Sequence, residues 1–567
     1  MVQLSGGEIL VRSLRPERIG AVFGIVGGKL GPFIKALGEE PGIVFTGTRH
    51  EAAAVYMAAG HFAATGRMAV AFSEIGPGTS NAVPAVASAY NNRLPLLLIT
   101  SNNQHATAYP FRGAFMEQDN LAVLQPITKW NAVIHEGTRI PELVRWAFRE
   151  ALTGRPGPVH LDVPQDVLLT QFDIPDNEFA WTAEEYRLAA PIAPAAADAA
   201  RAAELLLAAE RPLLIAGGGL ARGGDATAFR ALARTLGAAS TATQMGLGGA
   251  DETATGFAGH GGVIAGDAVL TALREADVVL AAGCRFSSWM WDQDGPLVRR
   301  GQKLIQIDTD PAVIGHAAPV TLGMVADART AVAAILAAVR ARGAEPSNGE
   351  WAAAIDGARN AHRARLAALA EDTTAPTHPA RLAQAIGLAI PADAFVTFDG
   401  GHTSFWSNDF THVPEPRRGF HEPGMAQLGF GLPYAIAVAL AHPGRTVVNI
   451  TGDGAFGFTV AELDTARRYG AVVINVIHNN ASWGVIAASQ RKGGFSFGTD
   501  LSGTDYAAIA RGFGCFGEAV ETAEDFAAAF ARAGASGLPA VLDCRTRFVP
   551  HPMMPQFGAT SALGMRR

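Results

Sequence analysis

The sequence predicts an α/β protein built from doubly wound parallel sheets. Short apolar runs of strand type alternate with helical patterns along the chain, which is typical of parallel strands connected by helices. Several of these runs end in glycine-rich turns, as expected where a strand passes directly into a helix. A length of 567 residues, rich in alanine and glycine, suits about three such domains.

The first block contains two strand-turn-helix patterns. Residues 42–46 form an apolar run that is followed by Arg49-His50-Glu51 and a helical stretch over 52–59. Residues 68–72 form the next run, and the glycine-rich segment 74–81 opens the helix after it. Taken alone, Glu51 is explained by the preference for acids at a helix start, and the glycine-rich segment is explained as a tight turn.

Breaks in composition divide the chain into three domains and a tail. An Ala/Pro-rich stretch at 189–194 marks a linker, and a cluster of helix-breaking residues at 343–349 ends the second block. The predicted domains cover residues 1–180, 195–342 and 360–547, and a proline-rich apolar tail covers 548–567.

Composition argues against several classes of protein. A net charge of −7 offers no polycationic surface for nucleic acid, and no long apolar span or secretory signal is evident. Cys284, Cys515 and Cys544 lack metal-ligand spacing, and their odd number argues against a disulfide framework. We therefore expect a cytoplasmic protein with neither a nucleic-acid nor a membrane partner.

Two motifs match known patterns only in part. The triple glycine at 217–219 lacks the full Gly-x-Gly-x-x-Gly fingerprint, so we interpret it as a turn between a strand and a helix. Residues 494–498 match Gly-x-Ser-x-Gly, but a helical stretch precedes them and an Asp/Gly-rich loop follows. A nucleophile elbow needs a strand before it and a helix after it, which argues against a serine hydrolase.

The third block carries the most informative pattern. A strand-like run at 446–451 leads into Gly452-Asp453-Gly454, and after a helical stretch at 461–468 a second run, 471–477, leads to Asn480. Both strand ends of such a βαβ unit lie at one sheet edge, where helix N-termini favour phosphates. Since hard divalent cations take oxygen ligands, the Asp and the Asn predict a metal beside a diphosphate. The alternative is that both segments only form turns.

Gly452-Asp453-Gly454, followed by Asn480 27 positions after the Asp, resembles the signature of thiamine-diphosphate-dependent enzymes. Residues 479–484 are similar to the matching run of benzaldehyde lyase, and the rest of the chain is similar to acetolactate synthase and its relatives. The resemblance implies that Mg²⁺ is bound by Asp453, Asn480 and the backbone carbonyl of Ser482.

The same resemblance implies the other cofactor contacts. Glu51 would bond N1′ of the cofactor pyrimidine, favour its imino tautomer and so allow removal of the thiazolium C2 proton. Leu428 precedes Gly-Phe-Gly, where relatives hold the two cofactor rings in a bent form with a large apolar side chain; the alternative is an ordinary core Leu. The remaining implied contacts are Gly401, His402, Thr403, Ala426, Gly452, Gly454, Ala455, Trp483 and Gly484.

Two loops predict the substrate pocket. Gly28 and Lys29 occupy the loop that carries Ala-His in benzaldehyde lyase, so a longer cationic side chain stands there. Phe115 and Met116 lie in a stretch similar to Ala-Phe-Gln-Glu of acetolactate synthases, with Met in place of Gln. Together with Trp483 they predict a rather apolar pocket. Lys29 is left open between pairing with a substrate carboxylate or phosphate and simple solvation.

The central block of this family binds FAD, adenosine diphosphate or no nucleotide. Residues 283–289 depart from the Arg-Phe-Asp-Asp-Arg type of sequence that is usual in flavin-binding members, which argues against FAD. Binding of an ADP or CoA nucleotide stays open.

The resemblance implies a lyase or carboligase that makes or breaks a C–C bond next to a carbonyl, with thiamine diphosphate and Mg²⁺, on 2-oxo acids or 2-hydroxy ketones. The alternatives are a 2-hydroxyacyl-CoA lyase, a 2-oxo acid decarboxylase and a non-catalytic subunit of the same fold. Intact Glu51, Asp453 and Asn480 argue against the last. The family also implies a homodimer or homotetramer with the active site at the subunit interface. We expect the tail to fold over the active-site mouth or to pack on a neighbouring subunit.

Overall fold

The structure is a computed structural model that describes residues 1–108, 110–262, 266–292, 295–344 and 349–554. It divides into two compact units, each formed by segments that are distant in sequence. The first unit comprises residues 1–190, 422–444 and 459–472, and the second comprises 191–421, 445–458 and the described residues from 473 onward. Residues 555–567 of the predicted tail and residues 345–348 of the predicted breaker cluster lie outside the described ranges.

The first unit contains a six-stranded parallel sheet. The strands up to residue 190 are β1 (Val2–Ser5), β2 (Ala21–Gly24), β3 (Val44–Gly47), β4 (Val70–Ser73), β5 (Leu97–Asn102), β6 (Trp130–Val133), β7 (Val159–Pro164) and β8 (Gln171–Ile174). The parallel sheet has the order β3-β2-β4-β5-β7-β6, and β1 pairs with β8 in an antiparallel manner. The helices of this stretch are α1 (Gly6–Arg12), α2 (Gly31–Glu39), α3 (Glu51–Thr65), α4 (Pro77–Asn92), α5 (His105–Ala108), α6 (Asn120–Leu124), α7 (Ile140–Leu152), α8 (Gln165–Leu169) and α9 (Ala183–Tyr186).

The central strands of this sheet are apolar without alternation because helices cover both faces. Every residue of β4, β5 and β7 is buried. The polar side chains among them bond to one another: Asp162 accepts from Thr100 Oγ1 at 2.5 Å and from Asn120 Nδ2 at 2.9 Å, and His160 Nε2 lies 2.7 Å from the same Thr100 oxygen. Hydrogen bonds therefore compensate the burial of Asp162, whereas His160 Nδ1 is buried without a partner among the described residues.

The second unit begins with another six-stranded parallel sheet. Its segment contains β9 (Pro212–Ala216), β10 (Ala239–Ala242), β11 (Phe257–His260), β12 (Val278–Ala282), β13 (Trp291–Asp292), β14 (Gly295–Pro296), β15 (Lys303–Asp308) and β16 (Leu322–Val325). The sheet order is β11-β10-β9-β12-β15-β16. The helices are α10 (Ala196–Leu207), α11 (Gly218–Arg222), α12 (Thr227–Leu236), α13 (Asp267–Glu275), α14 (Ala328–Arg340) and α15 (Glu350–Ala370). Gly217 thus lies between β9 and α11, and Gly218 and Gly219 begin α11, so the triple glycine forms the passage from strand to helix.

The last segment of the chain adds a third sheet. Its strands are β17 (Phe395–Asp399), β18 (Gly419–Phe420), β19 (Val447–Gly452), β20 (Ile474–Asn479), β21 (Phe516–Val520) and β22 (Ala540–Arg545), in the parallel order β18-β17-β19-β20-β22-β21. The helices are α16 (Pro379–Ala389), α17 (Gly401–Phe410), α18 (Gly431–Ala441), α19 (Asp453–Gly457), α20 (Glu462–Tyr469), α21 (Gly484–Lys492), α22 (Tyr506–Gly512) and α23 (Ala523–Ala535). Residues 494–498 follow α21 as a loop, so the context of a nucleophile elbow is not met.

Two of these helices, α18 and α20, belong to the first unit. Helix α18 packs against α3, and its Tyr434 hydroxyl donates to the buried carboxylate of Glu422, which also accepts from Ser88 of α4. The helix that begins with Glu51 is therefore held by residues from the C-terminal part of the chain.

Within the described ranges the structure has three six-stranded parallel sheets covered by helices, so the predicted α/β class is confirmed. The predicted domain bounds stay a prediction. Among the described helices none is long and apolar enough to cross a membrane.

Candidate active site

The predicted metal ligands lie at the carboxyl ends of two neighbouring strands of the third sheet. Asp453 directly follows β19, and Asn480 directly follows β20. These strands are neighbouring and parallel, with Gly452 opposite His478. Both side chains therefore start from the carboxyl ends of adjacent strands, where ligands of open α/β sheets commonly bind.

One carboxylate oxygen of Asp453 has no hydrogen-bond partner among the described residues. The residue is 4% exposed; Oδ1 accepts from the Gly454 N–H at 2.9 Å, whereas Oδ2 is buried and unbonded. Burial raises the pKa of Asp453 to about 6, against the effect of the Gly454 hydrogen bond. A buried carboxylate without a partner is costly, and a divalent cation with oxygen preference is the kind of group that would compensate it. The residues present here therefore fit a bound Mg²⁺.

The turn after Asn480 is fixed by its own hydrogen bonds. The Ser482 N–H donates to Asn480 Oδ1 at 3.0 Å, and Ala481 between them has a left-handed φ of 53°. The Ser482 hydroxyl and the Trp483 N–H both donate to the Thr499 carbonyl, at 3.2 and 2.8 Å. Asn480 and Ser482 are thus held in a defined geometry next to β20.

Two glycines permit close packing in this turn region. A Cβ atom on Gly454 would lie 2.5 Å from the indole of Trp483, and one on Gly484 would lie 2.9 Å from His402. Both distances are shorter than real side-chain contacts, so these positions require glycine. The structure thereby brings Gly452, Gly454 and Ala455 together with the segment Gly401-His402-Thr403, since Thr403 Oγ1 would lie 3.0 Å from a Cβ on Gly452.

His402 bonds the C-terminal tail. Its Nε2 donates to the Val549 carbonyl at 2.8 Å, and its ring stacks on Phe548 with 5.3 Å between centroids. Burial lowers the pKa of His402 to about 4, so the ring is neutral at pH 7. The described part of the tail continues along α17, where His551 Nε2 lies 3.0 Å from Asp409 Oδ2. Whether the tail covers an active-site mouth stays a prediction.

Glu51 is the first residue of α3 and is half-buried. Asn81 Nδ2 donates to its Oε2 at 3.0 Å, and Oε1 faces Gly78. Both partners belong to the glycine-rich segment 74–81 that the sequence singles out. Ala426 and Leu428, the other predicted cofactor contacts of the first unit, are exposed and half-buried, and Ala426 has a left-handed φ of 52°.

The two predicted substrate loops lie against each other in the first unit. The ammonium group of Lys29 lies 5.1 Å from the ring centroid of Phe115 and 3.4 Å from its carbonyl oxygen. Phe115 is 76% exposed, and Met116 has a left-handed φ of 61°. The structure thus places Lys29 of the first loop against Phe115 of the second; the substrate pocket of Gly28, Lys29, Phe115 and Met116 stays a prediction.

Sequence reasoning missed the residue that anchors the Lys29 loop. Glu74 Oε1 accepts from the Lys29 N–H at 2.7 Å, and its Oε2 accepts from the Ser101 hydroxyl. A half-buried Glu at the start of a glycine-rich turn is the only signal in the sequence, and it does not reveal a bond across 45 positions. The Lys29 backbone is therefore fixed by Glu74, while its ammonium group contacts Phe115.

Three family models match the chain, each in one segment. They are the N-terminal TPP binding domain of thiamine pyrophosphate enzymes over residues 4–123, their central domain over 199–335 and their C-terminal TPP binding domain over 399–544. The fold and the matches define the class: this is a thiamine-diphosphate-dependent enzyme.

Curated relatives narrow the class. The acetolactate synthase large subunit of Haemophilus influenzae is 30% identical over 530 residues, which cover 93% of this chain and 91% of that protein. The isozyme 3 large subunit of Escherichia coli is 31% identical over 86% of this chain and 84% of its own length, and a probable acetolactate synthase large subunit of Methanocaldococcus jannaschii is 32% identical over 85% and 81%. The chain belongs to the acetolactate synthase family of thiamine-diphosphate-dependent enzymes, which act on C–C bonds next to carbonyl groups.

Proposed function

We propose that this enzyme is a carboligase of acetolactate synthase type: the donor 2-oxo acid loses its carboxyl group as CO₂, and the remaining acyl unit forms a C–C bond to the carbonyl carbon of a second 2-oxo acid, whose oxygen takes up a proton. The observation that carries the proposal is the unbonded, buried Asp453 Oδ2 beside the Asn480 turn. Together with the relatives named acetolactate synthase large subunit, it supports a loaded metal and diphosphate site rather than a non-catalytic subunit.

Asp453, Asn480 and the Ser482 carbonyl are proposed to hold Mg²⁺. Oxygen ligands on a rigid turn suit this ion, which demands near-octahedral geometry. The diphosphate of the cofactor is proposed to lie on the two turns after β17 and β19. The backbone N–H groups at the N-termini of the helices that follow these turns favour anions. The residues proposed for this contact are Gly401, His402, Thr403, Gly452, Gly454, Ala455, Trp483 and Gly484, and Ala426 and Leu428 are proposed for the rings.

Glu51 is proposed as the catalytic residue. Its carboxylate would accept or donate the proton at the pyrimidine N1′, and Asn81 keeps one of its oxygens oriented through the 3.0 Å hydrogen bond. When bound, thiamine diphosphate supplies a nucleophilic carbon and an electron sink for the carbonyl carbon. The protein residues supply position and electrostatics, which suits a region with few acid–base side chains.

Lys29 is proposed to bind the carboxylate of a 2-oxo acid. Among the described residues it has no acidic partner within ion-pair distance, and its ammonium group contacts only the ring and carbonyl of Phe115. An ammonium group is a compact charge that suits a single carboxylate, and the neighbouring apolar side chains of Phe115 and Met116 suit a short alkyl group.

We further propose a cytoplasmic homodimer or homotetramer in which Glu51 of one subunit serves the metal turn of another. The relatives are named as large subunits, which supports an assembly. A bound FAD is not proposed, because residues 283–289 depart from the flavin-binding sequence; an ADP or CoA nucleotide at the central sheet stays open.

The test is product analysis by carbon NMR on the purified full chain with thiamine diphosphate and Mg²⁺. The first mixture contains pyruvate and is run with and without benzaldehyde. The second mixture contains formyl-CoA and acetone. Acetolactate or a mixed acyloin would support the carboligase. A 2-hydroxyacyl-CoA product in the second mixture would instead indicate a CoA-dependent lyase. Acetaldehyde as the sole product in the first mixture would indicate a decarboxylase. The matched control is Asp453→Ala in both mixtures.

A further inference from the structure

The backbone that leads into Glu51 is bound by a side chain from helix α20. Glu462, the first residue of α20, is 1% exposed. Its two carboxylate oxygens lie 3.1 and 3.2 Å from the Arg49 N–H, which donates to both. Thr465, one turn later in α20, donates its hydroxyl to the same carboxylate at 2.6 Å. The contact joins positions that are 413 residues apart in sequence.

Two more side chains of α20 bind the end of strand β3. The Gly47 N–H donates to the Tyr469 hydroxyl at 2.7 Å, and Arg468 Nη2 donates to the Gly47 carbonyl at 2.6 Å. Strand β3 is the edge strand of its sheet, so these backbone groups have no neighbouring strand on that side. Helix α20 supplies the partners that a further strand would otherwise supply.

A buried carboxylate in this place is well suited to fix a backbone segment. Burial raises the pKa of Glu462, and hydrogen bonds from Thr465 and from the Arg49 and His50 N–H groups oppose that rise. Hydrogen bonds to a charged acceptor are roughly twice as strong as neutral ones. The carboxylate therefore fixes the Arg49 N–H group, two residues before the helix start.

The link to Glu51 is short. His50 is the N-cap of α3, and its ring Nδ1 accepts from the Ala52 N–H at 3.1 Å. Glu51 lies between His50 and Ala52, so a shift of the Arg49 and His50 backbone changes the direction of its side chain. Misplacement of a catalytic group by about 1 Å can cost about 100-fold in rate.

We propose that Glu462 is a positioning residue for Glu51, acting through the backbone N–H group of Arg49. The inference rests on the proposed catalytic role of Glu51. The simpler alternative is that Glu462 only stabilises α20, because an acid in the first turn favours a helix start. The two roles differ in what happens at residues 49 and 50.

The experiment compares Glu462→Ala, Glu462→Gln and the control Arg467→Gln, which changes an exposed side chain of the same helix. Amide hydrogen exchange at residues 49 and 50 is measured on the full-length protein without cofactor. We expect exchange about tenfold faster in Glu462→Ala, because one charge-assisted bond is lost. Glu462→Gln should show a smaller change, since its amide oxygen still accepts, and the control should show none.

Kinetics with the loaded enzyme complete the test. We expect kcat of Glu462→Ala to fall about 10- to 100-fold with KM changed less than about threefold, and Glu462→Gln to restore most of the loss. Unchanged exchange at 49 and 50, or unchanged kcat, would overturn the inference. If Glu462→Ala does not fold, Tyr469→Phe takes its place. This variant removes the hydroxyl that accepts from the Gly47 N–H, and it must show the same changes in amide exchange and kcat at smaller magnitude. Glu51→Gln tests the proposed catalytic role of Glu51 separately: full activity of that variant would refute that role, whatever Glu462 does.

Discussion

Asn81 and Glu51 form a hydrogen bond between two consecutive strand-end segments: Asn81 Nδ2 lies 3.0 Å from Glu51 Oε2. Glu51 begins α3, and Asn81 lies in the first turns of α4. Helix α3 follows β3 and helix α4 follows β4, and β2 lies between these two strands in the sheet. The orientation of the Glu51 carboxylate therefore depends on a side chain that no short-range pattern would assign to it.

We predict that Asn81→Asp lowers kcat/KM more than Asn81→Ala does. The alanine variant loses one hydrogen bond to a carboxylate, which corresponds to about a tenfold loss. The aspartate variant also places a second negative charge beside Glu51, and we expect about 100-fold. Steady-state kinetics measure both. Asn91→Asp, on the same helix α4, is the matched control and should stay near wild type; an Asn81→Asp enzyme as active as wild type would contradict the prediction.

We predict that Asp453→Asn separates stability from metal binding. An uncharged amide removes the buried charge that has no partner at Oδ2, so the melting temperature of the metal-free variant should equal or exceed that of the wild type. The rise that Mg²⁺ and thiamine diphosphate give to the wild type should vanish, since ligand stabilisation follows affinity. Thermal scans with and without both ligands provide the measurement. A variant that is stabilised as strongly as wild type would show that the metal lies elsewhere.

We predict that Lys29→Met raises KM for a 2-oxo acid about 5- to 10-fold with little change in kcat, because a partly exposed ion pair contributes about 1 kcal/mol. The aliphatic replacement keeps the packing on Phe115 while it removes the charge. Lys35→Met, at an exposed position of α2, is the control. If the same KM is found for Lys29→Met as for wild type, the side chain is simply solvated.

We predict that the protein loses stability as the pH falls below 6.5. Burial lowers the pKa of several histidines, to about 4 for His61, His402 and His421 and to about 3 for His160 and His478. Because a folded pKa below the unfolded value means that the unfolded chain binds more protons, the stabilisation is present above pH 6.5 and is lost as pH falls toward the folded pKa.

The size of this effect can be measured at one position. Between pH 7 and pH 5 a single such histidine should cost about 2 kcal/mol of unfolding free energy. Urea unfolding at both pH values gives the drop in unfolding free energy from pH 7 to pH 5. We expect this drop to be smaller in His160→Gln than in the wild type by about that amount. The exposed His316→Gln is the control. Equal drops in His160→Gln and wild type would contradict the assignment.

The strands near the site could be predicted from local pattern to within three residues. The run predicted at 446–451 is β19, Val447–Gly452. The run predicted at 471–477 starts three residues early and ends two residues early, because β20 is Ile474–Asn479. The strand continues through polar residues that a hydrophobic pattern excludes, and this is possible because Asn479 Nδ2 donates to Asp543 Oδ1 at 2.8 Å inside the core.

The partners of the site residues could not be predicted in the same way. A helical pattern shows that α20 has a buried face, but it does not show what that face contacts. Glu462 accepts a hydrogen bond from the Arg49 N–H, which lies 413 positions away in sequence. Glu74 accepts one from the Lys29 N–H, which lies 45 positions away. Such contacts depend on the three-dimensional arrangement of elements rather than on local propensity. The roles of the proposed site residues likewise stay predictions until they are tested.

The membership of α18 and α20 in the first unit has a consequence for synthesis of the chain. Glu51 is synthesised early. More than four-fifths of this sequence has been translated before the residues that bind the backbone near Glu51 are made, namely Glu462, Arg468 and Tyr469. A nascent N-terminal segment ending at residue 190 therefore carries the edge of β3 and the start of α3 without their final hydrogen-bond partners. Expressed alone, that segment would expose the backbone groups of Gly47 and Arg49 that α20 binds in the full chain.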